Sequence, residues 1–141
     1  MAAGPAPARA SSLPEGVLET RGVVDFDWNV PDQLTIEQSS SRAVISWDSF
    51  NIGNGAKVIF DQPANEQAAT LNIVRGTSAS TLAGELRAER GSVFLINPHG
   101  ITITPDGEIY TGGAFVASTL SVDEDEFMAG NGLLTFAAKA G

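Results

Sequence analysis

The sequence of 141 residues has no cysteine, one histidine and few basic residues. Without thiols there are no disulfides, thiolate metal centres or cysteine nucleophiles. A lone imidazole, His99, rules out a multi-histidine metal site. Eight bases stand against seventeen acids, for a net charge of −9. Nucleic acid is bound by clustered Lys and Arg that displace counterions, so it is not an expected partner. The same balance disfavours anionic lipid surfaces. No stretch approaches the roughly 20 apolar residues of a membrane helix, so membrane insertion is not expected. No cofactor is expected either. The start, Met1 to Pro14, carries Ala, Pro and Gly with Arg9 as its one charge, and has no continuous apolar run. It is not an intact signal peptide. Residues 1–16 are read as a disordered segment.

What is present is a folding-competent domain's worth of apolar residues, 43% of the chain. A chain near this length buries roughly 68–70% of its unfolded surface. From Gln33 onward the apolar residues come in short bursts. These are Ala43–Trp47, Lys57–Phe60, Ala69–Val74, Ser92–Ile96, Ile101–Ile103, Ala114–Ala117, Leu120–Val122 and Leu133–Phe136. Each is β-branched or aromatic with partial period-2 alternation, which is the pattern of a strand. Turn formers separate them: Gly53-Asn54-Gly55, Asn97-Pro98-His99-Gly100, Pro105-Asp106-Gly107 and Gly112-Gly113. Sandwich, barrel and solenoid all remain open on this pattern. Only Ser80 to Arg90 disagrees, because Leu82 and Leu86 stand four apart as on a helix. Gly84 between them costs about 1 kcal/mol relative to Ala. A helical turn or a bulged strand both fit there.

Four blocks then occur in a telling order. The first is Ala43-Val44-Ile45-Ser46-Trp47-Asp48-Ser49-Phe50-Asn51-Ile52-Gly53, and Val58-Ile59-Phe60-Asp61-Gln62-Pro63 is the second. Leu71-Asn72-Ile73-Val74 is the third. The fourth runs Gly91-Ser92-Val93-Phe94-Leu95-Ile96-Asn97-Pro98-His99-Gly100-Ile101 and continues in Gly113-Ala114-Phe115-Val116-Ala117-Ser118-Thr119-Leu120. Together they resemble the amino-terminal secretion domain of two-partner-secretion exoproteins, the filamentous haemagglutinin type, and most of all its high-molecular-weight adhesin branch. Phe127 and Gly130-Asn131-Gly132 match a weaker later pattern. Two positions depart from the family: Ile73 stands for its customary Arg, and His99 for the second Asn of its Asn-Pro-Asn-Gly turn.

The resemblance implies an all-β, right-handed parallel β-helix with an N-terminal cap and short extra-helical strands. It would fill residues 17–141 and be shortened at its C-terminal end. It also implies a secretion-targeting role rather than an enzyme's. The partners would be the POTRA domains of an outer-membrane β-barrel transporter and the C-terminal passenger of the same exoprotein. The product would reach the medium or the cell surface through the periplasm, and the domain would seed β-helix folding there. A chain without cysteine suits that route, since periplasmic oxidation cannot trap it while unfolded.

Asn97, Pro98, His99 and Gly100 are first a turn, with Pro98 fixing φ, Gly100 accepting φ > 0 and Asn97 bonding a nearby amide. Recognition by the transporter is the added functional reading of these four. Phe94, Ile96, Ile101 and Ile103 around the turn are expected in the core. Trp47 and Phe50 form either core packing or an aromatic platform for sugar, the latter belonging to a rival adhesin or carbohydrate-binding reading. Asp123-Glu124-Asp125-Glu126 is read as a solvated acidic loop. A calcium site lacks the required loop pattern. A polysaccharide-cleaving enzyme would need two acids held across a cleft, which adjacent loop residues do not provide.

Overall fold

A computed structural model describes residues 12–65 and 67–130 and the backbone of 136–137. Its strands follow one another around a three-sided coil. Sheet B begins a turn, sheet A continues it and sheet C closes it. The first coil is β3 (Gln33–Gln38), β4 (Arg42–Ser49) and Ile52, which bridges to the coil below. The second is β5 (Lys57–Asp61), β6 (Ala69–Val74) and β7 (Ser80–Leu82). The third is β8 (Glu85–Ala88), β9 (Ser92–Ile96) and β10 (Ile101–Ile103). A fourth holds β11 (Glu108–Thr111) and β12 (Phe115–Ser118). Neighbouring coils pair in parallel at every described rung. Gln33, Lys57, Glu85 and Glu108 lie one beneath another, so successive coils take 24, 28 and 23 residues. The chain is thus a parallel β-solenoid of about four turns, and the choice among sandwich, barrel and solenoid is settled.

Period-2 alternation decides which side chains enter the coil. On sheet B, Leu34, Val58, Leu86 and Ile109 form one inward column. Sheet A contributes Ile45, Trp47, Val74, Val93 and Leu95 to the same enclosed core. Trp47 stands edge-on to Phe26 and Phe50, with ring centroids 5.8 and 5.7 Å away. Trp47 and Phe50 are fully buried, so they are core residues and not a platform for sugar. The interior is not wholly apolar. Asn72 sits in the column between Ile45 and Leu95. It accepts from Trp47 Nε1 at 3.0 Å and donates to the Phe94 carbonyl at 3.1 Å. Nearby, Gln62 Nε2 donates to Thr70 Oγ1, which donates to Gln38 Oε1.

The top of the solenoid is closed by strands of opposite direction. β1 (Glu15–Arg21) runs antiparallel to β4, and β2 (Val24–Asp27) antiparallel to β3. β1 carries a register shift between Val17 and Glu19, and Gly16 has φ +71°. Bulges and charges of this kind blunt an edge strand against adding further strands. Of the segment 1–16, residues 1–11 lie outside the described residues. Residues 12–16 are ordered into this cap: Gly53 N–H donates to the Ser12 carbonyl at 2.8 Å, and Leu13 is 4% exposed.

Three expectations need correction. The stretch Ser80 to Arg90 is neither a helical turn nor one bulged strand but β7 and β8 around a corner at Ala83-Gly84. A Cβ on Gly84 would lie 2.3 Å from the Gly53 carbonyl oxygen, so the corner stacks backbone on backbone. Leu82 and Leu86 are both fully buried, and a spacing of four residues fits strand alternation of period 2 as well as it fits a helix. Ile103 is 46% exposed instead of core, since β10 is an outer rung with only β7 beside it among the described strands. The acidic run is not a loop. Asp123 caps a short helix, α1 (Glu124–Ala129), with its carboxylate accepting from the N–H groups of Asp125 and Glu126. Acids are favoured there because the first turn leaves N–H groups unpaired at the positive end of the helix dipole. α1 ends at Gly130, whose φ is +68°. It lies between β13 (Ser121–Val122) and β14 (Phe136–Ala137), which pair antiparallel outside the solenoid. Of the burst at Leu133 and the turn at Gly130, residues 131–135 lie outside the described residues.

Candidate functional site

The four turn residues sit at the corner where β9 leaves sheet A for sheet C. Asn97 is wholly buried and acts as a hub joining three coils. Its Nδ2 donates to the Ser78 carbonyl and to Ser80 Oγ, each at 3.0 Å, which ties it to the coil above. Its Oδ1 accepts from the His99 N–H at 2.9 Å, closing the turn. Its backbone N–H donates to the Ser118 carbonyl at 3.0 Å in the coil below. The Asn97 carbonyl accepts from Gly100 N–H at 3.0 Å, and the Gly100 carbonyl in turn accepts from Ser80 N–H at 2.9 Å. A buried amide left without these partners would cost about 1–3 kcal/mol per orphaned group.

Gly100 is required by conformation and not by space. Its φ is +113°, whereas a Cβ there would meet only Ala79 Cβ, at 3.9 Å. Pro98 and His99 are exposed on the rim that the hub fixes. Around them, Ile96 and Ile101 bracket the turn, Ile96 buried and Ile101 partly so. The corner is therefore a turn closed and anchored by hydrogen bonds. Asn97 is its buried centre, and Pro98 and His99 are its exposed side chains.

The outer face of sheet A is the feature that motif reading missed. Val44, Leu71, Ile73, Ile96 and Phe127 form a second buried cluster outside the solenoid, with Phe94 and Met128 against it. Ile73, where the family customarily has Arg, lies in this cluster. The Phe94 and Phe127 rings meet edge-on at 5.5 Å between centroids. Arg42 stacks over the Phe127 ring at 5.0 Å and donates Nη1 to the Phe127 carbonyl at 3.1 Å. Burial pushes its guanidinium below the ordinary arginine value. Arg75 Nη2 reaches Glu124 at 2.7 Å, and Arg21 Nη1 reaches Asp125 at 3.0 Å. The signal that could have revealed this is the alternate apolar set Ala69, Leu71 and Ile73 of β6, opposite in phase to the inward Thr70, Asn72 and Val74; the strand is buried at all six residues and hence covered on both faces.

The acidic residues near α1 thus have defined structural roles as cap and ion-pair partners. No group of three or more potential metal-ligating side chains is found among the described residues. The sheet B face presents paired charges outward: Arg87 bonds Glu85 at 2.7 Å and Glu89 at 3.2 Å and stacks on Tyr110 at 4.4 Å. The hydrogen bond with Glu85, foremost, raises the Arg87 pKa.

The family model for the TPS secretion domain matches residues 16–140. Over 110 residues the chain is 40% identical to a heme/hemopexin-binding protein of Haemophilus influenzae, covering 78% of this chain and 12% of that protein. A second such protein, from H. influenzae strain Rd, is 35% identical over 111 residues, with 79% and 12% covered. Among solved structures, the HMW1 secretion domain from H. influenzae superposes with a TM-score of 0.71 at 36% identity, over 81% of this chain and 30% of that one. The chain therefore spans about an eighth of the length of the curated relatives it matches.

Proposed function

Because the chain belongs to the TPS secretion-domain family, whose exoproteins leave across the outer membrane with a dedicated transporter, we propose that it is the segment its own transporter recognises. In this reading the POTRA domains of an outer-membrane β-barrel bind it in the periplasm. The C-terminal passenger of the same exoprotein follows it to the medium or cell surface.

The observation that carries the proposal is the corner at residues 97–100. A wholly buried Asn97 holds Pro98 and His99 outward in one conformation. Nothing in the packing of the core requires those two exposed side chains. A surface so presented suits recognition. A seeding role is supported by the lower end of the solenoid: β10, β11 and β12 each have a strand neighbour on one side among the described residues. Unpaired strand edges are templates for further pairing, so they suit the first coil of a passenger.

The test is secretion from cells carrying the cognate transporter, with the chain placed behind an export signal. Wild type is expected in the medium only when the transporter is present. Asn97→Ala is expected to reduce release at least tenfold. Equal release with and without the transporter would refute the assignment, and normal release of a folded Asn97→Ala variant would refute the role of the corner.

A further inference from the structure

We propose that the upper part of sheet B carries a site for a ligand with primary ammonium groups in series, as in a linear polyamine or a run of lysines. Strand register builds it. Asp25 stands directly opposite Glu37, and Glu37 directly opposite Asp61, so three adjacent strands place three carboxylates in one row. Neighbouring strands lie roughly 4.8 Å apart, which sets the spacing of the row. Like charges directly opposite each other weaken strand pairing. All three acids are exposed, and no ion pair reaches them among the described residues. Lower on the same sheet the acids are matched, Glu85 by Lys57 and Arg87, and Glu89 by Arg87. β2 and β3 contain no basic residue at all.

A second feature calls for the same chemistry. The row borders a cavity of about 440 Å³, whose wall also holds Gln62 and Arg90. Gln62 is 1% exposed. Its Nε2 donates to Thr70 Oγ1 at 3.0 Å and to the Ser92 carbonyl at 2.9 Å, which uses both amide hydrogens. Its Oε1 has no donor, and a buried acceptor left so is an exception that needs a cause. Gln62 also lines the adjoining cavity of about 290 Å³, between Asp61, Arg87 and Arg90. Three carboxylates and an unpartnered amide oxygen all take N–H donors, and the carboxylates take positive charge. A metal ion is a poor match, because no three ligating side chains come together among the described residues. An ammonium group brings three donors and does not need such a cage. Arg90 is the cation already at hand, but its Nη1 reaches the Gln62 carbonyl only at 3.4 Å, too long for a strong bond. It competes for the site without filling it.

The experiment titrates spermidine, and separately a tetralysine peptide, into the full chain at low salt, with calorimetry for affinity and NMR of the Gln62 side-chain amide for place. Glu37→Gln is expected to weaken binding by about fivefold or more. Without ligand it should raise the melting temperature, because it relieves repulsion within the row, so a loss of binding is not a loss of fold. Glu108→Gln removes the same charge at the far end of sheet B and is expected to leave affinity unchanged. Arg90→Ala is expected to tighten binding by removing the competing cation. Tighter binding of spermidine would identify a free polyamine as the ligand, and tighter binding of tetralysine a peptide segment. Equal weakening by Glu37→Gln and Glu108→Gln would overturn the proposal, since binding would then follow net charge alone. Binding of neither probe would overturn it, as would a Gln62 amide signal that stays in place at saturation.

Discussion

Sheet A has two apolar faces, and they are built differently. The inner face is enclosed by the solenoid itself: Ile45, Leu95 and Trp47 meet sheet B across the core, and the one amide in their column, Asn72, is satisfied by Trp47 and a backbone carbonyl. The outer face has no opposing sheet, and a six-residue helix covers it, held by Phe127, Met128 and surrounding arginines. The inner face is specified by coil-to-coil register, since every rung repeats the same inward positions. The outer face is specified by a segment arriving from beyond the fourth coil. A solenoid thus fixes its interior through repetition and its exterior through single side chains.

Equal deletions on the two faces should separate them. Leu95→Ala on the inner face is expected to cost about 4 kcal/mol, because enclosed walls cannot close on the cavity. Leu71→Ala on the outer face should cost about 2 kcal/mol, since α1 is free to settle inward. Equal losses in urea unfolding would erase the distinction. Replacing the inner amide, Asn72→Leu, should cost about 3 kcal/mol, as Trp47 Nε1 and the Phe94 carbonyl both lose their buried partner. A neutral result would mean the interior tolerates an all-apolar column. On the outer face, Arg75→Ala is expected to cost less than about 1 kcal/mol, and salt should shrink that difference. A salt-independent loss would point to packing by the arginine stem instead. At the far corner, His99→Asn should leave the melting temperature essentially unchanged, because the turn takes only the His99 N–H and not its ring. A clear shift in either direction would show that the imidazole contributes to folding.

The repeated interior was the legible part. The bursts Ala69–Val74, Ser92–Ile96 and Ile101–Ile103 coincide with strands, and the motif order carried the solenoid. Gly100 at positive φ and the Asn97 side chain bonding a nearby amide were readable from turn chemistry. What escaped has a common cause, which is dependence on distant partners. β1 reads Glu-Gly-Val-Leu-Glu-Thr-Arg, with little apolar alternation, and becomes a strand because β4 offers an edge to pair. Asn97 bonds Ser78 and Ser80, nearly twenty residues away and a full coil up, which no local rule forecasts. The acidic run looked solvated because its counterions, Arg21 and Arg75, lie 104 and 49 positions away from their acids. Ile103 carried the alternation of a core residue, but nothing among the described strands lies below it to complete a core.

Recognition at the corner can be tested by contact. The chain has no cysteine, so His99→Cys creates a single thiol for a crosslinking reagent, and Glu37→Cys on the outer side of sheet B gives a matched exposed control. Both variants would be exported in cells making the cognate transporter and crosslinked during secretion. The account predicts a covalent adduct with the transporter's periplasmic domains from position 99 and none above background from position 37. Adducts of equal yield from the two positions, or none from 99 while secretion proceeds, would contradict it.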